Sequence, residues 1–205
     1  MNRTIVFYDP LFPIASDRPA AALLDRLADS ATIADGEALA ELLLSAQGGC
    51  FVNLHAPYFP KDAWTAILDY LQRGGGLVSA GGAPFRIPVY RSEAGWTCES
   101  EQTAYHRQLL IHEAMQVDPA PIESLAALDE IPLFAPYTGL LTVEPTYSLI
   151  MHVTRSSDIP HESGSAGPMD ARLYPLVKGI SPDKREVAAP VVLIEHAKGT
   201  FAGAR

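Results

Sequence analysis

Histidine and aspartate at the end of an apolar run are the residues here that could do acid–base chemistry. His55 closes the run "CFVNLH", beside Tyr58 and Phe59. Asp9 follows the run "TIVFY". A base and a carboxylate within hydrogen-bond reach would form a proton-transfer site. Each also has a plainer reading. His55 can hydrogen-bond neighbouring backbone and fix its loop, and Asp9 can cap the turn that follows it. Tyr105, His106 and Arg107 come back over the same edge if their own helix covers it. Cys50 opens its run, so it falls at the far end of that element and reads as a small buried hydrophobe. Cys98 sits in the expected hairpin away from any recognisable base and also reads as structural.

Other constellations are weaker. The six histidines show no metal-ligand spacing. His112–Glu113 lacks the second histidine of H-E-x-x-H, and His161–Glu162 lies in a polar, glycine-rich stretch. Glycoside hydrolysis needs two carboxyl groups held ~5–9.5 Å apart, whereas Glu37, Glu41, Asp62 and Asp69 fall on helix faces or in loops. Gly74–Gly76 and Gly81–Gly82 match neither G-x-G-x-x-G nor the P-loop, and "APFRIP" after them is not a helix start. Tyr58, Phe59, Phe85, Tyr90, Trp96 and Tyr105 are aromatic faces on which either a sugar or a neighbouring domain could pack.

The elements that must position these residues alternate regularly over the first eighty positions. "TIVFY" is a strand. Ser16 or Asp17 can cap a helix with Pro19 in its first turn and Leu23, Leu24 and Leu27 as its stripe. "ATIAD" is a strand, "GEALAELLLSAQGG" a helix and "CFVNLH" a strand. In "PKDAWTAILDYLQRGGG", Trp64, Ile67, Leu68 and Leu71 recur at helical spacing, and "GLVSA" is a strand again. This order predicts a doubly wound α/β fold with a mostly parallel sheet. Such sheets bind ligands outside the carboxyl ends of their strands. That rule selects Asp9 and Pro10, Asp35, His55 to Tyr58, and Gly81 to Pro84.

Beyond Phe85 the pattern turns β-rich. "FRIPVYRSEAGWTCESE" reads as a hairpin turning at "SEAG". "TAYHRQLLIHEAM" reads as a helix, and Asp118–Pro136 as irregular chain. "YSLIMHVTR", "ARLYPLVKGIS" and "APVVLIEHAKG" read as strands, with a polar loop at 156–170 and a further strand starting in "TFAGAR". We therefore expect one domain over 1–205. Because it ends within a strand pattern without a capping tail, it is expected to be the first segment of a longer protein.

The 205 residues suffice for one domain with a sizeable core. Apolar residues make up 48% and charged residues 19%, a globular composition. The net charge of −9 and the lack of a basic block argue against nucleic acid as a partner. No signal-peptide layout opens the chain and no apolar run reaches the ~18 residues of a membrane span, so a cytoplasmic location and no membrane partner are expected. Two cysteines make neither a disulfide framework nor a zinc site. No cofactor and no metal are expected.

The order of elements resembles the class I glutamine amidotransferase-like superfamily, which has a flavodoxin-like fold. "FVNLHAPYFPKDAWTAILDYLQRGGGLVSAGGAPFRIPV", with "YHRQL", "LYPLVKGI" and "APVVLIEHAKGTFAGAR", looks more closely like the amino-terminal amidotransferase-like domain of multidomain bacterial glycoside hydrolases. Active members of the superfamily carry G-x-C-x-G on the turn after the fourth strand. Here that turn is "SAGGAPF". Gly81 or Gly82 stands at the nucleophile's place, with no side chain to attack, and Ser79 precedes the turn. The late histidine and glutamate find a counterpart in Glu195 and His196, but neighbours on a strand face opposite sides. The triad route thus fails at its first member.

The resemblance implies a non-catalytic domain of a carbohydrate-active protein, serving domain packing, oligomerisation or carbohydrate recognition. Its partners would be downstream domains of the same polypeptide, with carbohydrate and a second copy as further candidates. Tyr58 and Trp96 would be the stacking platforms of a sugar-binding module, within a set of ligand-binding positions comprising Asp9, His55, Tyr58, Phe59, Gly81, Gly82, Trp96 and His106. The alternative is a stand-alone hydrolase with an atypical site around Asp9, His55 and His106.

Overall fold

The computed structural model describes residues 3–116, 118, 121–141, 143, 147–151 and 171–205. The first half is an α/β unit. Strands β1 (Arg3–Phe7), β2 (Ala31–Ala34), β3 (Gly49–Asn53) and β5 (Gly76–Ser79) form a parallel sheet in the order β2-β1-β3-β5. Register aligns Ile5 with Thr32, Phe51 and Leu77, and the next row aligns Val6 with Ile33, Val52 and Val78. Rows alternate between the two faces of a sheet.

One face is thickly covered. Helices α2 (Leu39–Ser45) and α3 (Trp64–Gln72) pack together, and Leu39, Leu43, Ile67 and Leu71 join Ile5, Phe7 and Phe51 in one buried cluster. Trp64, Ile67 and Leu71 are buried as their spacing predicts. Asp35 caps the turn into α2, its Oδ1 accepting from the amides of Glu37 and Ala38. Arg73 closes the other end. Its guanidinium donates to the carbonyls of Leu43 and Ala46, the last turn of α2, and to Asp69.

Helix α1 (Ala21–Ala28) starts later than its capping signals suggest. Its N-cap is Ala20, with no side-chain cap, and no residue of the helix is buried. The Leu23, Leu24, Leu27 stripe is therefore only partly shielded.

A second, three-stranded sheet joins β4 (Tyr58–Pro60), β6 (Ile87–Ser92) and β7 (Gly95–Cys98). The hairpin turns at Glu93 and Ala94, as read from the sequence. Two further antiparallel sheets are β10 (Tyr147–Met151) with β8 (Ile111–Gln116), and β12 (Glu186–His196) with β11 (Ala171–Ile180) and β9 (Ser124–Ala127).

Three local expectations change. The helix predicted over "TAYHRQLLIHEAM" is only α4 (Ala104–Gln108), because Leu110 takes a positive φ of 60° and the chain leaves as β8. Asp118–Pro136 is not wholly irregular, for Ser124–Ala127 pairs with β11 and a 3-10 stretch covers Pro132–Leu140. Thr200–Gly203 is a turn instead of a strand start. The expected polar loop at 156–170, with His161 and Glu162, lies outside the described residues, as do residues 152–155 of the expected "YSLIMHVTR" strand.

Candidate functional site

The strand order reverses between β1 and β3, since the chain moves from β1 to β2 on one side and then back to β3 on the other. The crevice of such a sheet opens at that point, outside the carboxyl ends. The residues there are Asp9, after β1, and His55, after β3. They meet directly. The Asp9 amide donates to His55 Nε2 at 3.1 Å, and His55 Nδ1 lies 2.8 Å from the Pro13 carbonyl oxygen. An amide can only donate and a carbonyl can only accept, so the ring is the neutral Nδ1–H tautomer with both nitrogens occupied. The side chain has no solvent exposure. Burial lowers its pKa, outweighing the Pro13 hydrogen bond and the Asp9 charge, which raise it.

The neighbouring strand residue, Asn53, prepares this ring and was not singled out from the sequence. It is fully buried, its Oδ1 accepts from the His55 amide, and its Nδ2 donates to the Tyr58 carbonyl. A lone amide inside the apolar run "CFVNLH" was the available signal. Phe12, also unnoticed, is fully buried and sets its ring edge-on to His55 at 5.1 Å and to Trp96 at 5.0 Å. Phe7 and Tyr8 complete the aromatic wall around the imidazole.

The Asp9 carboxylate is equally committed. Oδ1 accepts from the Leu11 amide at 2.8 Å, and Oδ2 accepts from the Trp96 indole Nε1–H at 3.0 Å. Trp96 arrives from the β6–β7 hairpin and packs against Gly36, where a Cβ would sit 2.4 Å from its ring. Only glycine permits that approach. The Arg91 guanidinium covers the indole at 5.1 Å from its centroid and stands 3.9 Å from Glu37. Beside this plug is a cavity of about 280 Å³ lined by Glu37, Asp62, Arg91 and Trp96 together with Gly36, Ala40, Pro60 and Ala63.

The remaining positions divide. Phe59 is fully buried on β4 and packs against Trp64, Phe85 and Tyr105, while Tyr58 is half-buried. His106 is buried on α4, with Nε2 at 2.7 Å from the Pro84 carbonyl and Nδ1 without a hydrogen bond. Its pKa is lowered, chiefly by burial. No hydrogen bond links His106 to Asp9 or His55. Gly81 and Gly82 are exposed, with φ of 109° and 144°. At Gly81 a Cβ would lie 2.7 Å from the Ala56 carbonyl oxygen, so any side chain there meets backbone. Cys50 is half-buried at the amino end of β3, its thiol pKa raised by burial. Glu195 pairs with Arg205 at 3.3 Å, and the rings of His196 and Phe201 meet edge to face.

Among the described residues no group of three or more His, Cys, Asp or Glu could hold a metal ion, and no helix is long and apolar enough to cross a membrane. Comparison with protein-family models, with curated proteins and with solved structures finds no match to the chain.

Proposed function

We propose that this chain is a non-catalytic α/β domain of a carbohydrate-active protein, working through packing against other protein or through carbohydrate recognition. The order β2-β1-β3-β5 supports a flavodoxin-like, amidotransferase-like reading of its sheet. One observation carries the proposal: the crevice at the strand ends is closed by the chain's own groups. Both nitrogens of His55 and both carboxylate oxygens of Asp9 already have protein partners. A hydrolase built on Asp9, His55 and His106 would have to break these bonds before either group could serve as a base. The test is turnover of aryl-glycosides and of L-glutamine by the purified chain. Rates at the buffer level are expected. Enzyme-like turnover abolished by His55→Gln would overturn the proposal.

The cavity beside Trp96 favours the carbohydrate branch over pure packing. Trp96 and the polar side chains of Glu37, Asp62 and Arg91 in its lining are the residue types that offer an apolar face and hydrogen-bonding groups to a pyranose ring. The chain has only two tryptophans, so each indole N–H gives its own NMR signal. Methyl glucoside or methyl galactoside at tens of millimolar should shift the Trp96 signal and spare Trp64. No shift at either would remove this branch.

A further inference from the structure

The cavity beside Trp96 is lined by unequal charge. Two carboxylates, Glu37 and Asp62, share it with one guanidinium, Arg91. The guanidinium already has its place. Arg91 is the cross-strand partner of Trp96 in the β6–β7 hairpin, and it stands over the indole at 5.1 Å from the centroid. It faces Glu37 across 3.9 Å, beyond hydrogen-bond distance. Asp62 has no such partner. Its carboxylate makes no hydrogen bond or ion pair among the described residues, and the adjacent ammonium of Lys61 is held by Glu99. One acid of the lining is thus paired and the other is open.

Both contacts of Arg91 are weak. Its side chain is 47% exposed and that of Glu37 74%, and ion pairs between exposed groups contribute little. Cation–π stacking at an exposed site is at the lower end of its range. The indole does not depend on either contact, because its N–H is bonded to Asp9 and its ring meets Phe12. A ligand that brings its own cation can therefore replace the guanidinium on the ring and leave the plug in position.

We propose that the ligand of this cavity is an amino sugar in its ammonium form, stacked on Trp96 in place of Arg91 with its charge on Asp62. The volume of about 280 Å³ is near the ~300 Å³ at which small-molecule sites begin, so it takes one sugar ring and not a chain. The excess of acid in the lining, on a domain of net charge −9, disfavours uronic acids and sulfated sugars. A neutral hexose leaves Asp62 without a counter-charge. This inference rests on the carbohydrate reading and names the ligand class of that same site.

The test follows the Trp96 indole N–H signal of the full chain by NMR. Methyl glucosaminide, with its amine protonated, is titrated in parallel with methyl glucoside and methyl glucuronide. Glucosaminide is expected to bind at least about tenfold more tightly than glucoside, a difference of about 1.4 kcal/mol, and glucuronide more weakly than either. The advantage should shrink at about 0.5 M salt and vanish on N-acetylation of the sugar and in Asp62→Asn. Asp62 is exposed and unbonded, so that variant should fold. Arg91→Gln removes the competing cation and should widen the advantage. Equal midpoints for glucosaminide and glucoside would overturn the proposal and leave the carbohydrate reading standing. So would an advantage that survives in Asp62→Asn. Equally tight binding of Nα-acetyl-lysine amide would show that the site reads an ammonium without the sugar, and would overturn it too. No shift from any of the sugars would end both the proposal and the carbohydrate reading.

Discussion

The Asp9 amide donates to His55 Nε2 across 3.1 Å, tying the loop after β1 to the loop after β3. The bond exists only while the imidazole is neutral, since a protonated Nε2 cannot accept. Two buried histidines, His55 and His106, have pKa values lowered by burial. In the unfolded chain both titrate near ~6.5. Above that pH both states are neutral and the histidines add no pH dependence. As pH falls below ~6.5 the unfolded chain binds protons that the native chain resists, so stability drops until the folded pKa values are passed. The melting temperature should fall between about pH 6.5 and 5, and less steeply in His55→Gln. An unchanged melting temperature over that range would contradict the assignment.

Trp96→Phe keeps an aromatic ring over Phe12 and Gly36 but removes the donor to Asp9 Oδ2. Oδ2 is then left with only the long 3.5 Å contact from the Gly36 amide, and a nearly buried carboxylate oxygen losing its better partner costs about 1–3 kcal/mol. Chemical denaturation of the variant should show that loss. A change below about 0.5 kcal/mol, the usual size for an inconsequential surface substitution, would mean that the indole does not hold the plug closed.

Gly81→Cys places a thiol on the turn, and it should destabilise the fold without creating activity. The position has φ 109°, and a Cβ would meet the Ala56 carbonyl oxygen at 2.7 Å. Left-handed backbone alone costs a residue with a Cβ about 1–2 kcal/mol. Ala80→Cys, one residue earlier and exposed, is expected to fold normally. Glutamine turnover by a well-folded Gly81→Cys protein would reverse this reading of the turn.

Arg73→Lys should cost about 0.5–1.5 kcal/mol although it conserves charge. The guanidinium reaches Leu43 and Ala46 at the end of α2 with two nitrogens and Asp69 with a third. An ammonium cannot span all three, and the abandoned carbonyls lose strong donors. Urea titration reads the difference directly.

The parallel sheet was legible because its strands are short apolar runs separated by helical periodicity, as at Trp64, Ile67 and Leu71. The hairpin was legible from "SEAG". Helix α4 was over-extended because Leu109 and Leu110 continue an apolar pattern, and nothing local announces a left-handed Leu110. Strand β9 was missed because "SLAA" earns its pairing only from β11, some fifty residues later. At the site, the strand-end rule brought Asp9 and His55 to one place. It could not say that Trp96, 87 residues beyond Asp9, takes the carboxylate, or that Pro13 takes the imidazole N–H. Those long-range partners decide whether the pair is free to react.

The most direct test of the closed crevice is the ring-nitrogen NMR spectrum of His55 between pH 8 and 5. The account predicts a neutral Nδ1–H tautomer that persists below the ordinary histidine midpoint of ~6.5, with Nε2 protonated only at lower pH. A ring that titrates at ~6.5, or that exchanges freely between tautomers, would show an open and reactive imidazole and contradict the central claim.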